Sequence, residues 1–247
     1  MKIKKIIKIL LFLLVIVFFA LSITLNYLFY KKAFIPLQAL RLDPLELNYY
    51  TSLPRNEKKK TIMYYGDSRA LSWPFIKNNK FSFINRSIGN QTSTQIVARF
   101  EDHVIFYKPE IILIQMCVND LKMIPLFPEK KDQIIKGCRE NIKHIIKKAH
   151  EIKSKVIITT IFPLGDVSIA RKVLGIKEKP IIEAIDIINN YIKSLKEENV
   201  FIFDSFGLLV GNKRKIDPRF SHDWLHLNKS GYLYLNQNLN KFIDEKL

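Results

Sequence analysis

The stretch Thr61–Arg69, TIMYYGDSR, decides how the chain is read. The apolar run Thr61 to Tyr65 reads as a buried strand, which Gly66 ends. Asp67 and Ser68 sit at the turn, and Arg69 to Ile76 can continue as a short helix. A strand that stops at Gly and hands a Ser to a helix N-terminus presents that hydroxyl at the carboxyl edge of a sheet. Backbone N–H groups point outward there and favour developing negative charge. Open α/β sheets place their ligands at this same edge. Ser and Asp are also the commonest helix caps, so Gly-Asp-Ser acquires meaning only from the residues further along the chain.

Working outward, strand and helix alternate. Further strands are expected over 81–87, 111–116, 155–161 and 200–204. Helices are expected over 91–107, 131–152, 180–198 and 228–247, the third with Pro180 in its first turn. Apolar strands separated by helices imply one mostly parallel sheet covered on both faces. Ser68 then follows the first strand, Ser87-Ile88-Gly89-Asn90 the second, and Cys117-Val118-Asn119-Asp120 the third. Ser221-His222-Asp223-Trp224-Leu225-His226 precedes the last helix. Double winding would bring these groups to one edge.

Each residue type has a chemical reason to be there. A Ser hydroxyl is a weak nucleophile without an adjacent base. His226 can take its proton near neutral pH and later pass it to the leaving group. Asp223 can accept from the other imidazole nitrogen and stabilise the imidazolium. Attack on an ester carbonyl creates an oxyanion, for which the backbone N–H of Ser68, that of Gly89 and the Asn119 amide are candidate donors. Gly89 has no side chain to keep a substrate away.

These blocks resemble the SGNH hydrolases, also called GDSL-type esterases, over residues 61–247. The match runs Gly66-Asp67-Ser68, Gly89, Asn119-Asp120, then Asp223-x-x-His226 followed by Leu-Asn and Gly231-Tyr232. The resemblance implies a flavodoxin-like three-layer α/β/α sandwich with a five-stranded sheet of order 2-1-3-4-5. It implies a serine hydrolase acting on esters of lipids, sugars or small acyl groups, with no cofactor and no metal. Arg41-Leu42-Asp43-Pro44-Leu45, and Arg69 with Trp73, further resemble a membrane-anchored bacterial subgroup. One departure stands out: Cys117 occupies the place where the family usually has Gly, so its side chain could narrow the pocket or shift Asn119.

Other candidates have plainer readings. His222 neighbours Asp223 in sequence and so points elsewhere, while Asp67 and Asp120 are expected to cap helices or brace the site. Trp73 and Trp224 could line a pocket or fill the core. Cys117 and Cys138 show no metal-ligand spacing; buried thiols are expected, and a disulfide is permitted outside the cytoplasm. No paired carboxylates, Gly-rich phosphate loop or metal cluster is legible. The 48% hydrophobic composition allows a sizeable core, and the formal net charge is +17. No nucleic-acid motif accompanies that charge, so nucleic acid is not expected as a partner.

The N-terminus organises the rest. Residues 9–30 carry no charge, and about 22 residues suffice to span a bilayer as a helix. Four Lys precede this span and two follow it, which predicts the N-terminus inside and the body outside the cytoplasm. A cleaved signal peptide ending at Ala20-Leu21-Ser22 is the alternative. The expected organisation is therefore a signal anchor over 1–32, a Pro-containing connector over 33–60 and a hydrolase domain over 61–247. The expected activity is ester hydrolysis. Acyl transfer to an envelope glycan, or a catalytically silent binding protein, are the rivals on the same fold. The retained Ser68, Asn119, Asp223 and His226 argue against silence. Nothing in the sequence fixes the substrate or the oligomeric state.

Overall fold

The computed structural model describes residues 2–50 and 59–247. The chain divides into one unit that ends at Glu46 and a second from Leu47 to Leu247. The first unit is dominated by α1, Lys2–Leu42, a single helix of 41 residues. Its most apolar window has a mean hydropathy of 3.1 and is 0% buried, so by length and composition it can cross a membrane. At about 1.5 Å of rise per residue it measures roughly 60 Å, about twice a bilayer's hydrocarbon thickness. The helix therefore does not stop at Lys32, where the connector was expected to begin. It runs on through Pro36, which forgoes one backbone hydrogen bond without ending the helix. Much of the charged boundary expected before the first strand, with Pro54, lies outside the described residues.

In the second unit the strands are β1 Lys60–Gly66, β2 Phe81–Asn85, β3 Ile111–Gln115, β4 Lys155–Thr159 and β5 Val200–Phe203. They pair in parallel in the order β2-β1-β3-β4-β5. This is the flavodoxin-like order that the resemblance implied. Along β1 the pleat sends Ile62 and Tyr64 to one face and Met63 and Tyr65 to the other, and all four are fully buried. Both faces are therefore core, as parallel sheets require.

The helices that cover the sheet have identifiable causes. The Gly-Asp-Ser turn opens α2, Ser68–Leu71, which stops well before Ile76. Pro74 disfavours helical geometry at the residue before it. The helix expected over 91–107 is broken into α3 Ser93–Ala98, α4 Phe100–Val104 and a 3₁₀ turn, with the break at Arg99. Thr92 and Gln95 form a capping box at the start of α3. A short α5, Val118–Leu121, carries Asn119. α6, Lys131–Glu151, buries Ile135, Cys138, Ile142, Ile145, Ile146 and Ala149 at helical spacing. Beyond β4 come α7 Ile169–Val173 and α8 Glu178–Ser194. After β5, α9 Ser205–Leu209 leads to α10, Lys229–Lys246, whose Leu235, Leu239 and Ile243 close the second face.

Candidate active site

The site begins where β1 meets α2. A Cβ on Gly66 would sit 1.9 Å from the Gln115 carbonyl oxygen, so only glycine lets β1 approach β3 this closely. Asp67 caps α2 by accepting from the Arg69 amide at 2.9 Å, as expected of it. Asp67 and Arg69 are fully buried, and Ser68 between them is only partly so. Burial pushes the Asp67 carboxyl up to about 7, with Arg69 acting against that shift. Its Oδ2 has no hydrogen-bond partner among the described residues.

Ser68 Oγ lies 2.9 Å from His226 Nε2. His226 Nδ1 lies 2.9 Å from Asp223 Oδ2 and 3.1 Å from Oδ1. Asp223 Oδ1 also accepts from the backbone amides of Leu225 and His226, each at 2.7 Å. Burial pushes this carboxyl up, but the hydrogen bonds from the His226 ring and the two amides outweigh it and hold it below the usual carboxylate value. A chain of three groups thus runs from a hydroxyl through an imidazole to an ionised carboxylate. The His226 and Asp223 side chains keep 29% and 45% of their surface exposed, so water reaches them. His222 is exposed and takes part through its backbone, its N–H donating to the His226 carbonyl at 2.9 Å.

Gly89 lies beside Ser68: a Cβ built on it would be 4.0 Å from Ser68 Cβ. Asn119 is buried, and its Nδ2 donates to the Gln91 carbonyl at 2.9 Å. An amide nitrogen has two hydrogens, so this bond fixes the group and leaves a second donor. Asp120 braces the same turn, its oxygens accepting from Ser93 N at 2.8 Å and Ser93 Oγ at 2.7 Å. Cys117 precedes them with φ 83°, in the left-handed region. That explains why Gly is usual there and why Cys is costly.

The fold brings Cys117 and Cys138 together although their spacing is silent. Both are free and buried, with Cys117 Sγ donating to the Cys138 carbonyl at 3.9 Å. Potential ligand atoms of Cys117, Cys138 and Asp120 fall within 4.8 Å of one another. Burial, then Cys138, pushes the Cys117 thiol well above its ordinary pKa, so it stays protonated. Ser93 already occupies the Asp120 oxygens, and the trio reads as a hydrogen-bonded cluster. Trp73 is core, only 1% exposed, with Nε1 donating to Asn236 at 2.7 Å. Trp224 is largely buried beneath the Arg171 guanidinium, 5.2 Å from its ring centre.

In the sequence Arg69 stood out only as part of a subgroup resemblance and Arg99 not at all, yet both are completely buried. Arg69 donates to the carbonyls of Leu225, Phe162 and Pro163. Arg99 donates to Gln91 Oε1 at 2.5 Å, the Arg86 carbonyl at 2.6 Å and the Gly66 carbonyl at 3.0 Å. The signal for Arg69 was its place directly after Ser68. For Arg99, inside a stretch of helical periodicity, there was none.

A hydroxyl, imidazole and carboxylate in line at the carboxyl edge of a doubly wound parallel sheet is the arrangement of serine hydrolases. The family model of the GDSL-like lipase/acylhydrolase family matches residues 61–233, and the chain belongs to that family of ester-hydrolysing enzymes. Among solved structures it is similar to a GDSL-like lipase from Bacteroides thetaiotaomicron, at 21% identity and a TM-score of 0.63, covering 82% of this chain and 99% of that one. A lipase/acylhydrolase from Enterococcus faecalis gives 19% identity and a TM-score of 0.53, covering 76% and 97%. The acetylxylan esterase Axe2 from Geobacillus stearothermophilus gives 14% and 0.51, covering 78% and 96%. At these identities the likeness is one of fold. No curated protein matches the chain.

Proposed function

We propose that the chain is a membrane-anchored serine esterase with Ser68 as nucleophile, His226 as general base and acid, and Asp223 as its charge partner. The observation that carries this reading is the 2.9 Å contact between Ser68 Oγ and His226 Nε2, continued from Nδ1 to Asp223. Ser68 Oγ attacks the ester carbonyl while its proton passes to Nε2. The imidazolium is held by Asp223, and the carbonyl oxygen becomes an oxyanion. The backbone N–H groups of Ser68 and Gly89 and the free N–H of Asn119 Nδ2 receive it. Collapse expels the alcohol, which takes the proton from Nε2. Water then enters through the exposed His226 side and repeats the sequence on the acyl-enzyme. The substrate is a carboxylic ester, of a small acyl group, an acetylated sugar or a lipid, met outside the cytoplasm and held near the membrane by α1.

The test is covalent. A fluorophosphonate probe should label the full-length protein in detergent at Ser68 and should leave Ser68→Ala unlabelled, with ester hydrolysis lost in parallel. A folded wild type that stays unlabelled would favour a silent protein on the same fold.

A further inference from the structure

Ser68 and His226 are carried by segments far apart in the sequence, and one buried side chain ties those segments together. We propose that Arg69 is a positioning residue, whose guanidinium clamps the turn bearing His226 against the helix bearing Ser68. The role presupposes Ser68 and His226 as nucleophile and base.

Arg69 is completely buried. Its Nε donates to the Leu225 carbonyl at 2.8 Å, Nη1 to that of Phe162 at 3.0 Å and Nη2 to that of Pro163 at 3.3 Å. Leu225 is the residue before His226. Phe162 and Pro163 follow β4, and two residues on the Gly165 amide donates to the Trp224 carbonyl at 2.9 Å. One fork therefore reaches the His226 turn directly and also holds the segment on which that turn rests. The other end of the clamp is fixed too. The Arg69 amide is held by Asp67, and its carbonyl accepts from Tyr232 Oη at 3.0 Å.

The guanidinium spends its hydrogen bonds on carbonyls rather than on a carboxylate. Burying a cation in this way is costly, and an apolar side chain could fill the space. What an apolar side chain lacks is the rigid fork of donors, which a Lys also lacks. The pairing of Asp223 with His226 is internal to one turn, since the carboxylate also binds the amides of Leu225 and His226. The turn thus keeps its own charge pair without help. What it does not set by itself is its distance from Ser68, and Arg69 supplies that constraint.

This division predicts a specific signature. In full-length Arg69→Lys and Arg69→Met, turnover per active site should fall about 100-fold, the scale of a misplacement of about 1 Å. KM should change by less than about threefold, because ground-state binding is untouched. Fluorophosphonate labelling should slow in the same proportion as turnover. The acid limb of the pH–rate profile should stay where it is in the wild type. Active sites are counted by probe titration, so a lower folded fraction cannot imitate the effect. Wild-type turnover per titrated site in Arg69→Lys would overturn the clamp. So would an acid limb displaced as far as in Asp223→Asn, since Arg69 would then act on the charge of the pair. Loss of the cooperative thermal transition in both variants would also overturn it, making Arg69 a residue of the core. Ser68→Ala run alongside separates the two readings: if it keeps wild-type activity, the assignment of the nucleophile itself has failed.

Discussion

Asn119 and Asp223 meet the reaction at different points, and single substitutions can tell them apart. The Asn119 amide is oriented by Gln91, and in the proposed mechanism it receives an oxygen that becomes negative only as the reaction proceeds. Asn119→Ala should lose about 10²–10³ in kcat, roughly 2.7–4 kcal/mol, with little change in KM. Asp223→Ala acts through the imidazole. It should lower turnover and move the acid limb of the pH–rate profile to lower pH, because the imidazolium loses its charge partner. A profile of both variants on one activated ester checks this, and the opposite pattern would mean the roles are exchanged. Asp67 makes a different prediction, about stability. Its carboxyl is raised to about 7 in the folded chain, against about 3.9 when unfolded. A raised carboxyl favours the folded state fully below the unfolded pKa, and that contribution is lost as pH rises through the folded pKa. Asn still caps a helix, so Asp67→Asn should gain in Tm relative to wild type as pH rises from about 4 to about 7. Thermal melts across that range are the measurement, and a constant difference would show that Asp67 does not titrate there.

The turn between β3 and α5 shows how an element constrains its residues. Its positive φ disfavours any side chain, while the Cys117 side chain is fully buried in the core and reaches the Cys138 carbonyl. Removing the side chain relieves about 1 kcal/mol of backbone strain but leaves a small cavity that costs about as much. Cys117→Gly should therefore melt within a few degrees of wild type and keep its esterase rate. A loss of more than about tenfold with the fold intact, about 1.4 kcal/mol in the barrier, would give the sulfur a role in the site. Elements such as β1, β3 and β4 were legible because fully buried parallel strands are continuous apolar runs. Ser68 and Asn119 could be singled out because they open short helices directly after strands, and Gly89, Asp223 and His226 because they lie in the connections between elements. The break at Arg99 was not, because apolar spacing on either side continues as though the guanidinium faced water. Nor was α7, whose Ile169 and Val173 are each 81% exposed and so give no burial pattern to read. That α1 runs on into the expected connector, as far as Leu42, was not legible, because lysines and Pro36 mark the end of an apolar run more reliably than the end of a helix.

For the whole molecule, the lysines flanking the apolar part of α1 set the orientation we expect: N-terminus inside, hydrolase unit outside. A phosphatase fused to the C-terminus should be active and a cytoplasmic reporter at the same place dark. A mature protein beginning near Ile23 and released from membranes by salt would show that the segment is cleaved instead. The other whole-molecule feature is the span of chain between the proposed nucleophile and base, since Ser68 and His226 are 158 positions apart. Synthesis at about 5–20 residues per second puts Ser68 in existence roughly 8–32 s before His226. Over that interval Ser68 is an ordinary alcohol, because a serine without its base is a poor nucleophile. The Arg69 guanidinium waits equally long for the Leu225 carbonyl, 156 positions on. In the proposed mechanism, catalysis is therefore the last property the chain acquires, withheld until the turn before α10 has brought His226 to Ser68.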